Sequence, residues 1–185
     1  MNTAQQFDEQ IDTCRNIFEK KTQDYGTSWR VLRPKSLTDQ LFIKAQRIQT
    51  IEEAETTMVN EGVEPEFIGL VNYAVIGLIQ LSLKNDSRLD FSAIEAIERY
   101  DEQVAIIKNL MLAKNHDYGE AWRDMRISSL TDLILMKIFR IKQIEDNQGK
   151  TLVSEGLEAN YQDIINYSVF ALIKMSEEEN NFSAA

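Results

Sequence analysis

One cysteine, one histidine, two prolines and seven glycines in 185 residues leave several architectures without their raw material. The lone cysteine, Cys14, excludes an intrachain disulfide framework and a multi-cysteine zinc site. So few glycines and prolines cannot supply the turns of a sandwich built from many short strands. Basic residues are also in deficit, 20 Lys and Arg against 30 Asp and Glu, which leaves a net charge of −10. That charge repels a phosphate backbone and predicts no nucleic-acid partner. A small polyphosphate is still open to such a chain, through a local basic pocket or a metal. No uninterrupted apolar run approaches the roughly 20 residues that span a bilayer. The opening residues, from Asn2 to Glu9, have neither the basic start nor the apolar stretch of a secretory signal. The expectation is a soluble, cytoplasmic protein with no membrane partner. Its hydrophobic share of 43% is ordinary for a chain that folds around a core.

What the sequence does contain is a copy of itself, the first thing to look for in any chain. An offset of 93 places Asp24-Tyr25-Gly26-Thr27-Ser28-Trp29-Arg30 on Asp117-Tyr118-Gly119-Glu120-Ala121-Trp122-Arg123. It also places Ser36-Leu37-Thr38-Asp39 on Ser129-Leu130-Thr131-Asp132, and Lys44, Arg47 and Glu52 on Lys137, Arg140 and Glu145. After a one-residue insertion, Glu61-Gly62-Val63-Glu64 meets Glu155-Gly156-Leu157-Glu158, and Asn72-Tyr73 meets Asn166-Tyr167. Identities number 20 in the 46 positions from 7 to 52 and 8 in the 21 from 61 to 81. The chain therefore reads as one domain made of a first repeat (7–84), a linker (85–92) and a second repeat (93–178), with a tail (179–185).

Each repeat reads as three helices. Phe7, Ile11, Cys14 and Phe18, matched by Tyr100, Val104, Ile107 and Met111, have the i, i+4, i+7, i+11 spacing of a helical stripe. The stripe stops at Tyr25-Gly26 and Tyr118-Gly119, where glycine can end a helix. Ser-Leu-Thr-Asp then suggests a capping box opening the second helix, with Asp39 and Asp132 as caps rather than ligands. Pro65 suits the first turn of the third helix, the most apolar of each repeat, where Gly69 and Gly77 would allow close helix packing. Ser92-x-x-Glu95 suggests the cap of the helix after the linker. A three-helix unit cannot bury so apolar a third helix alone, but two units about a pseudo-twofold axis can. The prediction is an all-α six-helix bundle of two tandem three-helix repeats, acting as a monomer or weak homodimer.

Polar residues kept in both repeats are the informative ones, because packing alone does not require them. Glu155, Glu158, Gln162 and Asn166 fall on one helical face, with Asp163 beside it, while Lys137, Arg140 and Glu145 lie on the preceding helix. Acids facing cations in this way suit Mg²⁺, which prefers oxygen ligands, together with phosphates, for which Lys and Arg supply donors. Asn72 and Asn166, polar inside apolar helices, need partners from packing or from a ligand. Trp29 and Trp122 either plug the end of the bundle or stack on a base.

The pattern Asp117-Tyr118-Gly119-x-x-Trp122-Arg123, Lys137-x-x-Arg140-Ile141, Glu155 and Asp163-x-x-Asn166-Tyr167 resembles the nucleotide modification associated domain family, first type. That family is similar to the all-α nucleoside triphosphate pyrophosphohydrolases, which include the MazG-like enzymes and the dimeric dUTPases. The resemblance implies Mg²⁺ held by acids on two helices and hydrolysis of a nucleoside triphosphate to monophosphate and pyrophosphate. Carried onto this chain, it implies Glu155, Glu158 and Asp163 as catalytic acids, and Glu145 with the same three as metal ligands. Lys44, Arg47, Lys137, Arg140, Tyr118, Trp122, Asn72 and Asn166 would then bind the nucleotide. The acid motif departs from that superfamily's: Asp163 is matched by Gly69, and Glu66 by Asn160. A single composite site rather than two equal ones is therefore expected, with the second repeat carrying the metal, and a nucleotide-binding or structural helical protein without catalysis is the alternative.

Overall fold

The computed structural model describes residues 2–54, 62–153 and 155–183. Among them are six α-helices and no strand: α1 (Thr3–Tyr25), α2 (Pro34–Glu53), α3 (Glu64–Ser82), α4 (Ala93–Tyr118), α5 (Ile127–Asp146) and α6 (Leu157–Ser183). A 3-10 turn follows α1 at Ser28–Val31, and its copy follows α4 at Ala121–Asp124. Most of the expected tail is helical, since α6 continues to Ser183.

Each helix packs against its own copy, α1 on α4, α2 on α5 and α3 on α6. Reciprocal side-chain bonds show that the relation is twofold, because residue i of one half meets residue j of the other and the reverse also holds. Arg15 pairs with Asp101 at 2.7 Å, and Lys108, the match of Arg15, pairs with Asp8 at 2.7 Å. Thr38 donates to Glu145 at 2.8 Å, and Thr131 donates to Glu52 at 2.9 Å. The duplication is thus a fused pair of three-helix units around one core.

The predicted stripes form that core. Phe7, Ile11, Cys14 and Phe18 are buried on α1, as are Tyr100, Ile107 and Met111 on α4. By length and composition α3 could cross a membrane, contrary to the reading of its sequence as too short. Its residues from Phe67 to Ile79 are instead mostly interior, against α6, α2, α4 and α1. A helix covered on nearly all sides is apolar all round for that reason.

Helix ends follow the sequence in part. Gly26 and Gly119 end α1 and α4 with φ of 61° and 65°, a region that favours glycine. Ser92 accepts from the Glu95 amide at the start of α4, as expected. The Ser-Leu-Thr-Asp segments do not cap. Helix α2 begins two residues before Ser36, with Pro34 in its first turn, and α5 begins two residues before Ser129. Their threonines, Thr38 and Thr131, are instead the residues that reach across the twofold axis.

Candidate functional site

Lys137 projects from α5 into the interior, where only 7% of its surface remains exposed. A lysine ammonium in that position needs a partner, because burying an unpaired charge costs several kcal/mol or more. The partner is Asp163 on α6, with Nζ to Oδ2 at 2.5 Å. The other Asp163 oxygen accepts from Lys114 of α4 at 2.7 Å. Burial works to raise the Asp163 carboxyl, but the bonds and charges of the two lysines outweigh it and hold the group below its usual value. Lys114 is held above the usual lysine value by Asp163, against the opposing effect of burial.

Around this triad stand Arg140, exposed on α5, and Tyr167, half-buried on α6. The phenol of Tyr167 is pushed up, first by burial and then by the charge of Asp163, while Lys114 and Arg140 act in the opposite direction. Glu155 is exposed just before α6, and its charge reaches both Lys114 and Tyr167. Three helices thus bring three cations, one interior carboxylate, one nearby acid and a phenol within electrostatic reach of one another. One turn beyond Lys114 on the same face of α4, Tyr118 is 79% exposed.

The structure brings together Lys137, Arg140, Asp163 and Glu155 of the residues expected there. Glu158 is exposed on the first turn of α6, where it accepts from Gln162 at 3.5 Å. Glu145 is engaged elsewhere, by Thr38 across the twofold axis. Among the described residues no group of three or more His, Cys, Asp or Glu could hold a metal ion. The expected four-acid Mg²⁺ set is therefore not assembled: Asp163 is bridged by two ammoniums, Glu145 is bonded to Thr38, and Glu155 and Glu158 lie in the open.

Two further expectations are corrected by burial. Trp122 is 6% exposed, stacked on Phe170 at 4.2 Å and 4°, with the Arg123 guanidinium 4.4 Å from its ring. It plugs the end of the bundle, and its ring is occupied by protein rather than offered to a base. Asn72 donates to the Cys14 carbonyl at 3.0 Å and accepts from Tyr100 at 2.9 Å, so it staples helices together. Asn166 differs: it is 4% exposed and neither end of its amide has a partner.

The first repeat arranges the same cations differently. Lys44 and Arg47 of α2 both reach Glu66 of α3, at 3.2 Å and 2.5 Å. Lys44 gets there by lying across Gly69, where an added Cβ would stand 2.7 Å from its Cδ and Cε. Gly69 therefore makes room for a lysine rather than for a helix, while Gly77 lies under Tyr161 of α6 as close packing requires. Glu55 and Glu61 lie outside the described residues.

Sequence reasoning missed Lys114. Its signal was the match with Lys21, a cation kept four residues before each Tyr-Gly pair. The family model described as nucleotide modification associated domain 1 matches the chain twice, over residues 21–81 and 114–175, and each match begins at one of these lysines. No curated protein and no solved structure matches the chain, and the likeness to the MazG-like enzymes is not supported by a match.

Proposed function

The chain belongs to the nucleotide modification associated domain 1 family, and from that premise we propose that it binds a nucleoside polyphosphate at the cation cluster of its second half. The observation that carries this reading is the convergence of Lys114, Lys137 and Arg140 beside a single interior carboxylate, Asp163. In a chain of net charge −10, a local excess of cations needs a reason. A phosphate chain supplies one, since charged hydrogen bonds to phosphate oxygens are among the stronger polar contacts a protein makes. In this reading Lys114 and Lys137 meet the ligand's charge beside Asp163, the exposed Arg140 offers a forked donor, and the exposed Tyr118 offers a ring for a base.

A second reading adds Mg²⁺-dependent pyrophosphohydrolysis, the activity that the resemblance implies. What favours it is Glu155, whose charge acts on Lys114 and Tyr167, the same two groups on which Asp163 acts. The interior carboxylate is already held by two lysines, so binding is the better-supported function.

The test is equilibrium binding of a panel of ribo- and deoxynucleoside triphosphates to the purified chain, with pyrophosphate release followed in the same mixtures with and without Mg²⁺. Saturable binding of at least one member, competed by tripolyphosphate, is expected. No binding across the panel refutes the proposal. Pyrophosphate release would add hydrolysis to it.

A further inference from the structure

The two halves carry the same two cations at matching positions of the sequence and give them different anions. In the first half, Glu66 is 7% exposed, with Oε1 on Arg47 at 2.5 Å and Oε2 on Lys44 at 3.2 Å. In the second half, Asn160 stands where Glu66 stands. It is neutral and 3% exposed, and its Nδ2 donates back to the Gly156 carbonyl at 2.8 Å while its Oδ1 has no partner. The carboxylate of this half has moved one turn along the helix, to Asp163 at the place of Gly69, and it draws Lys137 with it. Arg140, the match of Arg47, has neither a hydrogen bond nor an ion pair among the described residues.

We propose that Glu66 marks the seat of a ligand's anionic group, and that the corresponding seat in the second half, beside Arg140 and over Asn160, takes one phosphate group of the bound nucleotide. The chain then carries one open anion site and one filled by its own carboxylate. This rests on the nucleotide-binding reading and deepens it, by saying which half binds and why the other does not. The chemistry is consistent in both halves. A guanidinium grips a carboxylate or a phosphate through the same pair of parallel donors, so an internal carboxylate is a fair stand-in for a phosphate oxygen pair.

The test exchanges the two residues and counts binding sites. Tripolyphosphate, and a nucleoside triphosphate bound by the parent chain, are titrated calorimetrically into the parent, Glu66→Asn and Asn160→Glu. The parent should bind one equivalent. Glu66→Asn should bind two, and adding Arg47→Ala should return it to one. Asn160→Glu should lose roughly tenfold or more in affinity, because it presents the site with its own carboxylate. Circular dichroism establishes that each variant is folded, and should Glu66→Asn not fold, Asn160→Glu decides alone. One equivalent in both parent and Glu66→Asn, or full affinity in Asn160→Glu, overturns the inference and leaves the nucleotide-binding reading standing. A parent that binds nothing overturns both.

Discussion

Tyr100 donates its hydroxyl to Asn72 across 2.9 Å, and Phe7, which holds the matching place in the other half, has no hydroxyl to offer Asn166. The missing oxygen answers to the unpartnered Oδ1 of Asn166, while its Nδ2 also lacks the carbonyl that Asn72 finds at Cys14. Phe7→Tyr should restore the bond and raise stability by about 1 kcal/mol, the usual net worth of a buried hydrogen bond. For a chain of this length that is a rise of roughly 2–4 °C in the melting temperature. The converse change, Tyr100→Phe, strands Asn72 and should cost about 1–2 kcal/mol. Paired thermal melts check both. A fall with Phe7→Tyr would mean that the second half has no room for the hydroxyl.

Asp163 is an interior anion facing two lysines, and its replacement by asparagine should not be silent. Read from sequence alone, that change removes a charge at constant size and leaves the fold intact. The structure predicts otherwise, because Lys137 would remain buried without a counter-charge. Breaking a buried pair from one side costs roughly 3–5 kcal/mol, and the partial exposure of Lys114 relieves some of that, so a loss of about 2–3 kcal/mol is expected. Denaturant unfolding measures it. A change below about 1 kcal/mol, the range of exposed pairs, would show that Lys137 finds water or another partner.

The crossed pairs Glu52–Thr131 and Glu145–Thr38 predict a pH dependence. Burial pushes both carboxyls above the usual glutamate value, and the threonine bonds only partly oppose it. A carboxyl raised on folding binds its proton more tightly in the native state. Its effect on stability therefore turns unfavourable as pH rises from the ordinary glutamate range through the raised value. Asp163 has the opposite sign: it is lowered on folding, so the stability it adds is lost as pH falls through its native value. The double variant Glu52→Gln, Glu145→Gln should keep the threonine bonds, gain stability at neutral pH and flatten the decline above the glutamate range. Melting temperatures across a pH series check this. An unchanged slope would mean that the carboxyls are better hydrated than their position indicates.

Tyr118 offers the nucleotide reading a separate handle, being 79% exposed one turn past Lys114. Tyr118→Ala should leave the fold alone and weaken nucleotide binding by roughly 1–3 kcal/mol, the worth of one stacked base. Binding of tripolyphosphate, which has no base, should be unchanged. Equal losses for both ligands would contradict a stacking role.

The fold was largely written in the sequence, because a stripe such as Phe7-Ile11-Cys14-Phe18 repeats at Tyr100-Val104-Ile107-Met111 and local periodicity reports burial directly. What misled was polar. Ser36-x-x-Asp39 resembles a capping box, but Pro34 can open the helix two residues earlier, and the signal shared by Thr38 and Thr131 belonged to the twofold contact. Glu145 looked like a metal ligand for the same reason: its partner, Thr38, lies in the other half and becomes its neighbour only on assembly. Lys137, Arg140 and Asp163 were legible as a charged group on facing helices, because the two cations recur in both halves and the acid is found in one half alone. Asn166 was legible as polar, but the lack of a donor for its Oδ1 goes with Phe7, more than 150 residues away in sequence.

The central claim is that one half binds and the other is filled by its own carboxylate, and Arg140 and Arg47 test it most directly. Calorimetric titration of a bound nucleoside triphosphate into the parent chain, Arg140→Ala and Arg47→Ala is the measurement. The account predicts that Arg140→Ala weakens binding roughly tenfold or more, while Arg47→Ala, which loses a contact to Glu66, leaves affinity unchanged. Equal losses in the two variants, a loss confined to Arg47→Ala, or no binding by the parent would contradict it.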